Sequence, residues 1–267
     1  MAKAPIAEAM FDDGVALIFG GSGGVGQGVC REFAKAGANV ALTYHTQKDV
    51  ANDLAAELRG QGVQASAHQV AIGDAARVEA LIDEVAKQYG RIHSIVVGVG
   101  TYVGQRMIAD ATRDEWNGVI EEDLKGFLNI LYASLPRFRE WGGGAYVHLG
   151  SGGHVWWPEA DALSVAPKAA IESLIVGIAR EEGRNGIRAN SVLLGVIEAG
   201  MFKVQWDKGI FPKAWVDEVH KALAIKRWGQ PEEIGHAAVF LASKKSAYIT
   251  GQRISVAGGF GLGGMQL

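Results

Sequence analysis

The sequence predicts an α/β fold, a doubly wound seven-stranded parallel sheet in a single domain. Three observations carry the prediction. Five apolar residues, Val15 to Phe19, run into the cluster Gly20-Gly21-Ser22-Gly23-Gly24-Val25-Gly26 and then into a helical pattern of Val25, Val29, Phe33 and Ala36. Strand and helix patterns keep alternating to the end of the chain. Ile92–Val99 is almost wholly apolar, as a strand covered on both faces must be.

The elements follow in order. Strand, tight turn and helix over Val15–Ala36 form the opening unit of a Rossmann-type fold. Asn39–Tyr44 reads as the second strand and Asp49–Arg59 as its helix; Val63–Ile72 contains the third strand. Asp74 is placed to cap a helix over Ala75–Tyr89. Thr112-Arg113-Asp114-Glu115 is a capping box that opens the next helix. Ala145–Leu149 is the fifth strand, Ala166–Glu182 a helix and Ile187–Leu193 the sixth strand. Pro231 suits the first position of a helix reaching Ser243, and Arg253–Val256 is a last short strand. Residues 1–13 read as an N-terminal tail and 14–267 as the domain.

Composition narrows the function. The chain has 267 residues, 48% hydrophobic and 21% charged, with a net charge of −3, so a nucleic-acid partner is not expected. The single cysteine, Cys30, excludes an intrachain disulfide and fits a reducing, cytoplasmic setting. Met1–Asp13 lacks the long apolar core of a signal peptide, and no run of eighteen apolar residues suggests a membrane span. The histidines have no metal-ligand spacing, so no metal is expected.

The glycine cluster is the expected phosphate turn. Glycines allow positive φ and let a ligand approach where a Cβ would block it, and the helix start offers free N–H groups to a pyrophosphate. Gly21, Gly23 and Gly26 fit the general dinucleotide fingerprint; Gly20, Gly24 and Gly26 fit a wider-spaced variant. An acid at the end of the second strand would bind the ribose hydroxyls of NAD, but Tyr44-His45-Thr46-Gln47-Lys48 holds none. His45 and Lys48 would suit a 2′-phosphate, so NADP(H) is favoured over NAD(H), although Gly23 stands where a basic residue would add to the case.

Catalytic candidates lie further on. Asp123 falls on or beside the apolar stripe of Trp116, Val119, Ile120, Phe127 and Ile130, where a carboxylate needs a partner or water. Ser151 closely follows a strand end, where ligands bind in such sheets. Ser164 and Lys168 are four apart and share a helix face, with Pro167 between them. Because proline belongs in a first turn, the helix is expected to start near Ser164, which then reads as its N-cap before it reads as a catalytic serine. His154, Trp156, Trp157, Phe202 and Trp206 are candidates for a substrate pocket suited to an apolar or aromatic molecule.

Taken together, the chain resembles the short-chain dehydrogenases/reductases and is similar to 3-oxoacyl-carrier-protein reductases over nearly its whole length. The resemblance rests on Gly20-x-x-x-Gly24-x-Gly26, Arg188-Ala189-Asn190-Ser191-Val192, Arg227-Trp228-Gly229-Gln230-Pro231-Glu232-Glu233-Ile234, Phe240-Leu241-Ala242-Ser243 and Tyr248-Ile249-Thr250-Gly251-Gln252. It implies that the dinucleotide is held by Gly20, Ser22, Gly23, Gly24, Val25, Gly26, Tyr44, His45, Thr46, Ala71, Ile72, Gly98, Val99, Gly100, Lys168, Leu194, Gly195 and Ile197. It also implies a substrate-loop insertion around 197–228 and a homotetramer, or a homodimer, paired through its long helices.

The functional positions depart from the family. Phe19 replaces the usual threonine and Leu194 the usual proline, and Ala71 stands at the adenine-contacting aspartate. Val97-Gly98-Val99-Gly100 replaces Asn-Asn-Ala-Gly, Asp123 the catalytic asparagine, and Ala199 the carboxamide-holding threonine. The catalytic serine and lysine survive as Ser151 and Lys168, but Ser164 replaces the tyrosine that donates the proton. At the wider spacing of the enoyl-reductase branch stands Asp161. A serine hydroxyl is too weak an acid to replace tyrosine directly, although it can hydrogen-bond an oxyanion. The candidate acids are Lys168, His154, Asp161 or water relayed by Asp123. The expected activity is an NADP(H)-dependent oxidoreductase with a non-standard donor, acting on a small molecule. The alternatives are a dinucleotide-binding sensor or partner subunit, and a non-redox lyase or dehydratase.

Overall fold

The order of the strands, β3-β2-β1-β4-β5-β6-β7, is the organising fact of the computed structural model, which describes residues 9–262. The strands are β1 (Val15–Phe19), β2 (Asn39–Tyr44), β3 (Ala65–Gln69), β4 (Ile92–Val97), β5 (Gly144–Ser151), β6 (Ile187–Leu194) and β7 (Arg253–Val256). Every neighbouring pair is parallel, so all carboxyl ends lie along one edge of the sheet. The order reverses between β1 and β4, which opens a crevice at that edge. The expected doubly wound sheet is the one observed.

The helices are α1 (Gly24–Lys35), α2 (Lys48–Gly60), α3 (Ala75–Tyr89), α4 (Arg113–Val119), α5 (Gly126–Glu140), α6 (Ala162–Glu182), α7 (Gly200–Asp207), α8 (Lys213–Ala222) and α9 (Pro231–Ala242). Alternation along β1 shows how the two layers arise. Ala16 and Ile18 face a core shared with α1, α2 and α9, whereas Val15, Leu17 and Phe19 face one shared with α3, α5 and α6. The helix starts follow their caps. Asp74 accepts from Arg77 N at 3.0 Å, and Thr112 and Glu115 form the reciprocal capping box. Pro231 opens α9 behind a second such box, between Gln230 and Glu233.

Three expectations are corrected. The helix from Thr112 is not continuous: a π-helical segment, Ile120–Lys125, separates α4 from α5. The apolar stripe runs across the break, so periodicity alone does not reveal it. α6 begins at Ala162 behind Asp161, not near Ser164, and Pro167 sits inside it. The backbone of Ser164 donates to Asp161 O at 3.1 Å, so Ser164 is a first-turn residue and not the N-cap. Finally, residues 9–13 are not a free tail. Phe11 stacks on Phe33 at 5.6 Å and on His93 at 5.0 Å, and Met10 O accepts from Lys244 N. Residues 1–8 of the expected tail lie outside the described residues.

Candidate active site

The turn after β1 is built by close approach. Gly20 has φ +79, and a Cβ on Gly26 would sit 2.1 Å from Gly20 O. A Cβ on Gly24 would lie 2.4 Å from Gly200 N, at the start of α7, whereas one on Gly23 would meet only Gly20 O at 3.2 Å. Gly20, Gly24 and Gly26 therefore carry the steric requirement, which is the wider-spaced register. Gly20 N donates to Thr43 Oγ1 at 3.0 Å and Ser22 N to Thr43 O at 3.2 Å, fixing the turn against β2. Gly23 precedes α1 and no side chain caps that helix. Its first turn thus presents N–H groups in a cradle that a Cβ would fill, beside Val25, which lines the adjoining cavity. The residues present fit the diphosphate of a dinucleotide.

The other residues expected at the dinucleotide lie on the flanks of the cradle or across the crevice. Tyr44 is buried at the end of β2, while His45, Thr46 and Lys48 are exposed. Ile72 is buried and Ala71 exposed beyond β3, and Asn129 of α5 donates to Ile72 O at 2.9 Å. Gly126 lets α5 approach this loop, since its Cβ would lie 2.5 Å from Ile72 Cδ1. Gly98 packs against Leu149, and Val99 packs against the core below it. A Cβ on Gly100 would lie 3.2 Å from Lys168 Nζ. Across the crevice, Leu194, Gly195 and Ile197 after β6 line the cavity that Val25 also lines.

The π segment delivers Asp123 into the site. Asp123 is only 3% exposed, yet its carboxylate is satisfied: Oδ1 accepts from Thr101 N at 2.9 Å and Thr101 Oγ1 at 2.7 Å, and Oδ2 faces Lys168 Nζ at 3.2 Å. Single π turns in α-helices often mark functional sites, and here the π segment contains the buried acid. Lys168 also donates to Ser164 O at 3.3 Å on its own helix. Ser151 ends β5, and its Oγ accepts from Gly153 N at 3.1 Å, which leaves its hydroxyl hydrogen free to donate. Thr101 was not recognisable from its own sequence context; its position just beyond β4, at the carboxyl edge, is the only signal it offers.

Ser151, Ser164 and Lys168 open onto one cavity of about 310 Å³. Phe202, Phe211 and Trp215 form its aromatic wall, with ring centroids 5.3 Å apart for Phe202–Phe211 and 4.3 Å for Phe211–Trp215. Of the expected pocket residues, only Phe202 lines the cavity. Trp206 packs behind it, 5.7 Å from its ring, and Trp156 and Trp157 are exposed. His154 is held by Glu172 of α6, Nδ1 to Oε2 at 2.5 Å, and Glu172 is fully buried. That pair fastens the loop after Ser151 to α6 and takes the imidazole out of the lining. Sequence reading missed Gln205, which is buried in the lining and donates to Val103 O at 3.2 Å.

Electrostatics separates the acids. Burial pushes the Asp161 carboxyl up to about 6, with the Lys168 ammonium opposing it. His148, beneath the site on β5, is driven down to about 3 by burial and then by Lys168, so it is neutral. The arrangement joins an anion cradle, a positioned lysine, a free serine hydroxyl and a protonatable carboxyl around one apolar cavity.

Comparison with known proteins bears on the family and the fold. The family model for Enoyl-(Acyl carrier protein) reductase matches residues 20–261. A 3-oxoacyl-[acyl-carrier-protein] reductase of Staphylococcus aureus is 32% identical over 244 residues, covering 91% of this chain and 96% of that protein. Among solved structures, a short-chain type dehydrogenase/reductase from Mycobacterium ulcerans superposes with a TM-score of 0.88 at 23% identity, over 95% of this chain and 91% of that one. A gluconate 5-dehydrogenase from Burkholderia cenocepacia, in complex with NADP and tartrate, gives a TM-score of 0.87 at 28% identity, over 95% of this chain and 97% of that one.

Proposed function

The chain belongs to the short-chain dehydrogenase/reductase family, and from that premise we propose that it is an NADP(H)-dependent oxidoreductase interconverting a carbonyl and an alcohol on an apolar or aromatic small molecule. The observation that carries the reading is the shared cavity, in which Val25, Leu194 and Ile197 of the dinucleotide side meet Ser151, Lys168 and the aromatic wall. A reduced nicotinamide, when bound, supplies the hydride. The chain's own residues do the rest. The free hydroxyl of Ser151 donates to the substrate oxygen, where a hydrogen bond counts most as charge develops. Lys168, fixed by Asp123 beside Gly100, presents an ammonium to ribose hydroxyls. The Ser164 hydroxyl is a further hydrogen-bond donor but a weak acid. Phe202, Phe211 and Trp215 exclude water and favour an apolar substrate.

NADP is favoured over NAD because the end of β2 carries His45 and Lys48 and no acid. The NADP complex of the related gluconate 5-dehydrogenase supports the choice. The protein is proposed to work as a homotetramer, or a homodimer, in the cytoplasm, with no nucleic-acid or membrane partner. Titration of tryptophan fluorescence with NADPH and NADH tests the cofactor reading: tighter binding of NADPH is expected, and binding of neither would refute it.

A further inference from the structure

The site holds a hydrogen-bond donor at Ser151 and a fixed cation at Lys168, and among the described residues no tyrosine lines it to release a proton. We propose that Asp161 is the proton donor of this cavity, giving its carboxylic hydrogen to the substrate oxygen that Ser151 engages. The proposal rests on the oxidoreductase reading above and adds a catalytic group to it.

Position is the main ground. Asp161, Ser164 and Lys168 follow one another at steps of three and four, so they form a single stripe at the start of α6, and all three line the cavity. Among the described residues Asp161 is a half-buried lining acid whose carboxyl has no partner at either oxygen. Asp123 is taken by Thr101 and Lys168, and Glu172 by His154. Among the described residues the Asp161 carboxyl makes no hydrogen bond or ion pair, and it makes no capping bond to the helix it precedes. A helix N-cap aspartate ordinarily turns inward to bond the first-turn amides; this one faces the cavity instead.

The backbone shows how that aim is held. Ala160 has φ +61 and is the only non-glycine with positive φ among the described residues. Such a conformation is unfavourable for alanine and persists only where the surroundings impose it. Here Arg106 N donates to Ala160 O at 2.9 Å, and a short parallel bridge joins Arg106 to Asp161. The strained residue thus lies immediately before the proposed acid.

The electrostatics fit the role. Burial raises the carboxyl to about 6 while Lys168 of α6 pulls it down. The other charged groups nearby are Glu159, which is exposed in the same lining, and Arg106, which reaches Asp161 through its backbone. A donor in this range is matched to neutral operation, unlike a serine. Hydride from a reduced nicotinamide dinucleotide forms the new C–H bond and the carbonyl π pair moves onto oxygen. The Asp161 O–H bond breaks, its proton forms the alcohol O–H, and the carboxylate left behind is reprotonated by water at the open mouth of the cavity. In the oxidative direction the carboxylate takes the alcohol proton.

The test uses the whole protein and the variants Asp161→Asn and Asp161→Glu. In the free protein, the carboxyl-carbon NMR signal that disappears in Asp161→Asn should titrate near 6; titration near the ordinary aspartate value of 3.8 would overturn the proposal. NADPH binding, read by tryptophan fluorescence, should survive in both variants. With a carbonyl that wild type reduces, kcat of Asp161→Asn should fall about 10²–10⁴-fold, Asp161→Glu should recover part of it, and the decline of kcat/KM above pH 6 should vanish in the Asn variant. Turnover by Asp161→Asn about as fast as wild type, with its pH profile intact, would overturn the proposal and leave the oxidoreductase reading standing. Wild type that binds NADPH but reduces no carbonyl would overturn both. If the Asn variant does not fold, the wild-type carboxyl signal that disappears in Asp161→Glu is titrated instead, and the same two outcomes decide.

Discussion

Asp161 makes the cost of the site measurable in single residues. Its folded value of about 6 exceeds the unperturbed 3.8, so the native state binds that proton more tightly than the unfolded chain does. The penalty is therefore absent below about pH 3.8, sets in as the pH rises, and is complete above about 6. Asp161→Asn should raise stability at pH 7–8 by on the order of 1–3 kcal/mol and leave it unchanged at pH 3. Denaturant titrations at the two pH values check this. The Asp123–Lys168 pair predicts the opposite sign. Lys168→Ala leaves a carboxylate of 3% exposure without its counter-charge and should cost about 3–5 kcal/mol, with turnover lost. Adding Asp123→Asn should restore most of the stability and none of the activity. At this scale the sequence shows which residue types are present but not which of them meet. Ser151, Asp123 and Lys168 were legible through the family pattern. Thr101 was not, because its role depends on a partner 22 positions away. His154 misled because its carboxylate partner lies on another element.

The elements were legible wherever a local rule decides them. Seven strands, the caps at Asp74 and Thr112 and the first position of α9 at Pro231 follow from alternation, side-chain capping and the preference of proline for a helix's first turn. The glycine turn shows this rule most sharply. Gly26→Ala would drive a Cβ to 2.1 Å from Gly20 O and should both unfold the turn and abolish dinucleotide binding. Gly23→Ala meets only Gly20 O at 3.2 Å and should fold with binding weakened much less. Thermal melts and NADPH titration of the two variants separate these outcomes. Two features at this scale escaped the sequence. The π segment leaves the apolar stripe unbroken, so only hydrogen bonding reveals it. Pro167 implies a first turn, but α6 starts at Ala162 and accommodates the buried proline beyond its first turn.

At the scale of the whole molecule, two surfaces stand unexplained by the monomer. Ala162–Asn185 is long and apolar enough to cross a membrane, yet half of the relevant stretch is buried inside the fold. The remainder of α6 exposes Val176, and α5 exposes Tyr132 at 73%. Pairing of these helices between copies, as the proposed tetramer or dimer requires, would cover both. Light scattering should report a tetramer at micromolar protein, and Val176→Glu should shift it to smaller species; a monomeric wild type would contradict the assembly. Single-chain patterning identifies such a face as apolar but does not say what covers it.

The central claim, that this cavity performs redox chemistry without the family's tyrosine, has one direct measurement. Wild-type protein is incubated with NADPH and a panel of apolar and aromatic carbonyl compounds, and the absorbance of the reduced cofactor is followed together with alcohol formed. The account predicts NADPH consumption matched mole for mole by alcohol, faster with NADPH than with NADH. NADPH that binds and is never consumed would contradict it in favour of a binding protein, and substrate turnover with unchanged cofactor absorbance would contradict it in favour of a lyase.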